Sequence, residues 1–243
     1  MKKLNLADIL MATHGKVLST VEKEFRGIGT DTRTDLTGQF FIALKGDAYD
    51  AHDFLVEAVQ RGAAGLLVHR WDDKWKTFDR QVTIVQVQDT LQGLQDIAHF
   101  EREKTSAIIV GITGSNGKTI VKEWLAQLLQ GDFQVCKSPK SYNSQLGVAL
   151  SVLELNDTDE IGIFEAGIST YDEIEVLEQM ICPTFGIITN IGDAHHSGFN
   201  SIEDKVAEKI KLFKYVDKIL YCSDYPEIHD VLKVNSKAIG WGF

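Results

Sequence analysis

Short apolar runs and amphipathic stretches alternate along this chain, and the alternation changes character near residue 105. Before that point the runs are brief and mixed. Phe40-Phe-Ile-Ala-Leu44, Gly65-Leu-Leu-Val-His69 and Val82-Thr-Ile-Val-Gln-Val87 have the β-branched and aromatic density of strands. Phe54 to Arg61 reads as a helix stopped by Gly62, because glycine takes the left-handed turn that ends helices at little cost. Thr90 to Glu103 places Leu91, Leu94, Ile97 and Ala98 at helical spacing, then turns charged at Glu101-Arg-Glu-Lys104. That polar stretch predicts a boundary between a domain of residues 1–104 and one of residues 105–243.

Beyond the boundary the pattern becomes regular. Strands are predicted at 107–111, near 133–136, and at 161–164, 185–189 and 218–221. Helices are predicted between them at 119–130, 147–155, 171–180 and 201–215. This βα alternation predicts an α/β chain: a small mixed domain, then a doubly wound, mostly parallel sheet. The pattern ends at Trp241-Gly-Phe243 with no closing element after its last βα units, so the second domain reads as truncated.

Composition narrows the function classes. Apolar residues at 44% and charged residues at 25% suit a soluble globular protein. A formal net charge of −10, with no basic run, argues against a nucleic-acid surface. Any polyanionic ligand must then be held by local geometry. No run approaches the length of a membrane span, and Asn5 and Asp8 interrupt the apolar core a signal peptide needs. Cys136, Cys182 and Cys222 are odd in number and far apart, which suits reduced thiols and a cytoplasmic location.

The chemistry concentrates at the ends of the predicted strands, where ligands of open parallel sheets sit. Gly111-Ile-Thr-Gly-Ser-Asn-Gly-Lys-Thr119 lies between a buried strand and a helix start, as a phosphate-binding loop must. Backbone amides and the helix dipole would face an anion, Lys118 would reach its outer phosphates, and the Thr119 hydroxyl would ligate Mg²⁺. The usual glycine six positions before the lysine is replaced by Ile112. Glu165 follows the strand at 161–164 directly, where a carboxylate can hold a hard cation; an exposed strand-end glutamate is the plainer alternative. Thr189 to His196 follows another apolar strand, which makes His195 a metal or phosphate contact ahead of His196. Lys209 borders the apolar stripe of its helix, at 202, 206, 210 and 213. It can extend harmlessly into solvent, or lose its proton in a dry site and take up CO₂ as a carbamate. Lys137 to Gly147 is a polar loop that can touch substrate or simply connect.

Taken together, these residues resemble the Mur ligases, the ATP-dependent amide ligases of peptidoglycan precursor synthesis. Thr113-Gly-Ser-Asn-Gly-Lys-Thr119 is similar to their ATP loop, which lacks the outer glycine in the same way. The resemblance implies ATP contacts at Gly114, Ser115, Asn116, Gly117, Lys118, Thr119 and Asn190. It also implies Mg²⁺ ligands at Thr119, Glu165, His195 and a carbamylated Lys209. Asp31-Thr-Arg33, Gly38 to Gly46 and Asp50 to Phe54 resemble the UDP-sugar-binding domain of the members that add the third residue or the terminal dipeptide. Thr32, Arg33, Lys45, Gly46 and His52 are then candidates for the UDP-MurNAc site. Ser141-Tyr-Asn-Ser-Gln-Leu-Gly147 resembles the loop of the dipeptide-adding members, which implies substrate contacts at Tyr142, Asn143 and Ser144.

What the resemblance implies is a ligase joining D-alanyl-D-alanine to UDP-MurNAc-tripeptide through an acyl phosphate, with Lys118, His195 and Lys209 as catalytic groups. A single-amino-acid-adding member, or a non-catalytic UDP-sugar- and nucleotide-binding module, are the alternatives. Family members run to about twice this length, so an N-terminal domain and an incomplete central domain are expected, with ligation by the chain alone poor or absent. A monomer is expected, and the resemblance leaves room for a C-terminal fusion to an alanine racemase. Departures include Ala51 for glycine, Thr37 for proline, Ser144 for asparagine, His196 for leucine and Lys211 for an acidic residue.

Overall fold

A computed structural model describes residues 3–78, 80–192 and 199–243. The chain divides into two compact units, residues 1–101 and 102–243. No described helix is long and apolar enough to cross a membrane.

The first unit contains β1 (Leu4–Asn5), α1 (Leu6–Thr13), β2 (Lys16–Ser19), β3 (Glu24–Phe25), β4 (Ile28–Gly29) and β5 (Phe40–Ile42). It continues with α2 (Leu55–Gln60), β6 (Gly65–Val68), β7 (Thr83–Gln86) and α3 (Thr90–Glu103), whose last two residues pass the division. The main sheet has the order β2-β7-β6-β5-β4, parallel except for β2 against β7. β5 and β6 are buried at every position, which is why both read as unbroken apolar runs rather than alternating ones. Gly65 is required there by space, since a Cβ would lie 2.3 Å from the Phe40 ring.

The second unit is a six-stranded sheet, parallel throughout, with helices between successive strands. Its elements are β8 (Ile108–Thr113), α4 (Lys118–Leu129), β9 (Val135–Lys137), α5 (Gln145–Val152), β10 (Ile161–Glu165) and α6 (Glu173–Ile181). After them come β11 (Phe185–Ile188), α7 (Ile202–Ile210), β12 (Lys218–Cys222), α8 (Pro226–Leu232) and β13 (Ala238–Trp241). The strand order is β13-β12-β11-β8-β10-β9. The chain therefore builds β9 and β10 on one side of β8, then crosses to build β11 to β13 on the other. The two sides part at the carboxyl end of β8, the switch point at which such sheets bind ligands.

The expected α/β architecture with a parallel second sheet is present. Three details differ from expectation. β8 runs on to Thr113, so Gly111 is a sheet residue and not part of the loop; it is packed so closely that a Cβ would lie 3.0 Å from Pro183. The sequence pattern ended at 221, yet α8 and β13 follow, with β13 paired in parallel to β12. Both are short, and β13 is mostly exposed, so neither carries a strong periodic signal. The helix expected over 201–215 ends at Ile210 and tightens into a 3₁₀ turn over Lys211–Phe213.

Candidate nucleotide and cation site

The loop between β8 and α4 is shaped by two glycines with positive φ, Gly114 at 141° and Gly117 at 82°. Gly114 has no room for a side chain, because a Cβ would come within 1.9 Å of the Thr189 hydroxyl oxygen. Gly117 is the opposite case. It starts α4 without a side-chain cap, and nothing lies within 4 Å of where its Cβ would be. The first amides of a helix have no intrahelical partner. Here they open onto unfilled space with the positive end of the dipole behind them.

The segment after β11 latches the loop. Ser115 N–H donates to the Asn190 carbonyl at 2.7 Å and Asn116 N–H to Asn190 Oδ1 at 2.9 Å. The Thr189 hydroxyl donates to the Asn116 carbonyl at 2.7 Å, and Gly192 N–H to Ser115 Oγ at 3.0 Å. Two amides expected to face an anion, those of Ser115 and Asn116, are thus directed to Asn190, which leaves the helix start as the remaining source of backbone donors in the loop. Lys118 folds back to donate to the Gly114 and Ser115 carbonyls at 2.7 and 3.3 Å. Burial lowers its pKa; Glu165 opposes that shift and Lys205 adds to it.

Glu165 ends β10 and is fully buried. Its Oε2 accepts from the Thr119 hydroxyl at 2.9 Å, which brings the two expected cation ligands together. Its Oε1 lies 3.0 Å from the ammonium of Lys122, itself wholly buried, yet accepts no hydrogen bond. The charges meet, but the ammonium's N–H groups point elsewhere. A buried carboxylate with unspent acceptor capacity beside a hydroxyl is a donor set suited to a hard, oxygen-seeking cation such as Mg²⁺. These residues fit the metal.

Lys118, Lys205 and Lys209 line one cavity of about 200 Å³, together with Asn143, Ser144 and the turn Gly167–Ser169 after β10. Lys209 is 2% exposed, so beside the apolar stripe of α7 it faces inward rather than out to solvent, and Lys205 on the same helix is 1% exposed. Burial, and then the positive charges of Lys118 and Lys205, hold the Lys209 amine down at about 7. That shift favours the neutral amine over the ammonium. Lys211, two residues on, binds Glu208 at 2.8 Å and Glu175 at 3.3 Å. It thus finds its own carboxylates where the sequence had suggested a charge imbalance. His195 lies outside the described residues.

The Ser141–Ser144 loop joins this site through its backbone. The Asn143 carbonyl accepts from Gly167 N–H at 2.9 Å, and a Cβ at Gly167 would lie 2.8 Å from the Asn143 side chain, which would have to shift. Ser144 caps α5 by accepting from Gly147 N–H at 3.3 Å. Tyr142 is 39% exposed and is not among the residues lining the cavity. Sequence reasoning missed Lys122 and Lys205. Lys205 had a signal, since it stands one helical turn before Lys209 and shares its face. Lys122, one turn after Lys118, had the same relation to the loop lysine.

In the first unit a separate cavity of about 920 Å³ is lined by Thr30–Arg33, Gly46–Tyr49 and Phe54, among others. Thr32, Arg33 and Gly46 are therefore brought together. Arg33 forms a two-pronged pair with Asp31, at 2.9 Å from Nε and 2.7 Å from Nη2, which pulls the Asp31 carboxyl down to about 2. Lys45 pairs with Asp50 through a backbone bridge and is not among the lining residues. His52 does not line the cavity either. It is fully buried, its Nδ1 2.7 Å from Asp50 Oδ1 and its Nε2 accepting from His69 N–H at 3.0 Å. Both ring nitrogens are spent, so His52 braces the loop behind the cavity rather than touching what fills it.

The fold and the site define a phosphate-loop α/β nucleotide-binding domain, preceded by a smaller α/β unit. A family model described as the Mur ligase middle domain matches residues 112–239. The chain belongs to the Mur ligase family. It is 31% identical over 219 residues to the UDP-N-acetylmuramoyl-tripeptide–D-alanyl-D-alanine ligase of Bacillus subtilis (strain 168), covering 89% of this chain and 47% of that protein. The ligase of the same name from Treponema pallidum (strain Nichols) is 35% identical over 196 residues, 77% of this chain and 42% of the relative. Among solved structures, MurF from Acinetobacter baumannii shares the fold over 100% of this chain and 54% of its own, at a TM-score of 0.90 and 24% identity. MurF ligase from Thermotoga maritima in complex with ADP matches at a TM-score of 0.78 and 28% identity, over 89% of this chain and 50% of its own. The chain thus spans about half the length of the relatives it matches.

Proposed function

We propose that this chain carries the ATP site and the UDP-sugar site of an ATP-dependent ligase that joins D-alanyl-D-alanine to UDP-MurNAc-tripeptide in the cytoplasm. The observation that carries the reading is the meeting of the open α4 start, the Thr119–Glu165 pair and the buried lysines at one switch point. The relatives' names support the choice of substrates.

In this reading the tripeptide carboxylate attacks the γ-phosphate, ADP leaves, and the dipeptide amine displaces phosphate from the resulting acyl phosphate. The protein's part is positioning and charge neutralisation, because two anions must approach each other. Lys118 and the first amides of α4 hold the outer phosphates. Thr119 and Glu165 would hold one Mg²⁺, and His195 with a carbamylated Lys209 a second; such cations would supply positive charge that screens phosphate from the carboxylate. The 141–144 loop, fixed to Gly167, borders the cavity where the acyl group would lie. Thr32, Arg33 and Gly46 hold the UDP-MurNAc part.

Because the chain matches about half of each ligase, a second reading is that these residues alone bind both nucleotides without joining anything. One assay separates the readings: phosphate release and labelled D-alanyl-D-alanine incorporation, run beside calorimetric binding of UDP-MurNAc-tripeptide and MgATP. Incorporation of the dipeptide above that of single amino acids supports the ligase. Binding of both nucleotides with no incorporation supports the module, and binding of neither removes both.

A further inference from the structure

Lys122 has no role in the scheme above, yet it is the most deeply placed cation near the site. Its side chain is 0% exposed, as is that of Glu165. Its ammonium donates to the Ser138 carbonyl at 2.8 Å and to the Lys140 carbonyl. It stands 3.0 Å from Glu165 Oε1 and 3.2 Å from Glu123 Oε1. Glu123 is half-exposed and has Lys137 as a second partner, so it does not depend on Lys122 for charge balance. Glu165 pairs with it directly. Its other oxygen accepts from the neutral Thr119 hydroxyl.

An ionised carboxylate buried without a cation is costly. Lys122 supplies that cation from behind, since Oε1 faces the ammonium while Oε2 faces the Thr119 hydroxyl. We propose that Lys122 is a positioning residue, the internal counter-ion of Glu165, which makes that carboxylate weakly attractive to a free cation, so that Mg²⁺ is held only when it arrives with nucleotide phosphates. The same ammonium fixes the approach to the 141–144 loop. Lys140 adopts a left-handed φ of 51°, unusual for a side chain of its kind, and its carbonyl is turned in to Lys122. One buried cation thus ties the metal-ligand carboxylate to the segment leading into that loop.

This inference rests on the reading of Glu165 as a cation ligand, and the test keeps the two apart. Thermal unfolding and calorimetric Mg²⁺ titration of the nucleotide-free chain are compared for wild type, Lys122→Met, Glu165→Gln and the double variant. Wild type should show no Mg²⁺ response, with a shift in Tm below about 1 °C at millimolar Mg²⁺. Lys122→Met should unfold about 5–10 °C lower and regain several degrees with Mg²⁺, because the metal replaces the lost charge. The double variant should recover most of the loss and ignore Mg²⁺, since removing both charges leaves nothing to compensate. If Lys122→Met does not fold, the double variant must still fold.

A Lys122→Met protein that stays unresponsive to Mg²⁺, or a loss the double variant does not repair, would overturn the proposal and leave Lys122 a carbonyl clamp only. Free Mg²⁺ binding by wild type as tight as by Lys122→Met would overturn it too. ADP binding to wild type that is indifferent to Mg²⁺, with Glu165→Gln binding ADP equally well, would instead remove the reading of Glu165 itself.

Discussion

On the proposed reading, the two cavities of this chain meet anionic ligands in opposite ways. In the second unit the charges are inside: Lys122, Lys205 and Lys209 are each no more than 2% exposed. In the first unit the charge is outside, with the Arg33 side chain 88% exposed and held ready by Asp31. Burying lysines costs stability, because desolvation opposes the charged form. The cost is visible as the downward shift of Lys209 to about 7. What it yields is a dry, fixed field, which acts on charge developing in a reaction. An exposed Arg33–Asp31 fork costs almost nothing and contributes little to the fold. It suits a place where a large ligand is gripped but not changed. On the proposed reading, the second cavity suits reaction and the first suits retention.

That contrast can be broken, beginning with the largest effect. In a full-length ligase carrying these residues, Lys118→Ala should reduce ATP-dependent phosphate release by about 10³-fold or more while leaving UDP-MurNAc-tripeptide affinity unchanged in calorimetry. Retained turnover would end the assigned role. Lys209→Ala should lower turnover by about 10²-fold, with partial recovery on adding a short carboxylic acid that can stand in for a carbamate. Full activity of this variant would remove the modified lysine from the mechanism. Arg33→Ala should weaken UDP-MurNAc-tripeptide binding by about tenfold and leave MgATP affinity as it was. Equal loss of both ligands would show that the two cavities do not divide the work as described.

The smallest effect concerns the brace behind the first cavity. Burial lowers the pKa of His52 below its ordinary value of 6.5, against the pull of Asp50. The unfolded chain then binds more protons than the folded one in the window below that value, so stability is full above it and declines as pH falls. Urea midpoints should drop between about pH 7 and pH 5 in wild type, and the slope should flatten in His52→Asn. An unchanged slope would mean that other groups set the pH dependence.

Much of this was legible in the sequence, for identifiable reasons. Parallel strands buried on both faces read as apolar runs, so β5, β6, β8 and β10 were found with small errors at their ends. Gly114 and Gly117 sit where only positive φ serves, and Thr119 and Glu165 stand at strand and helix ends, where position alone suggests a site. The tertiary choices were not legible. Spacing sets Lys209 beside the apolar stripe and Lys205 one turn before it, but it does not tell how deeply they are buried, because a helix face carrying Lys, Glu and Lys reads as solvated. Likewise His52 is a plausible ligand contact until its two nitrogens are seen to be occupied. Lys122 escaped for the same reason, since a buried lysine is rare enough that every prior places it outside.

The latch formed by Asn190 has a consequence for the order in which the protein is made. The phosphate loop is complete in sequence at Thr119, but its amides at Ser115 and Asn116 are held by a residue 74 to 75 positions later. The strand leading to that residue, β11, must also insert beside β8 on the side away from β9 and β10. Such distant pairing forms late, since loop closure must precede the contacts that reward it. A chain still emerging from the ribosome therefore carries the phosphate-loop sequence well before the residue that latches it.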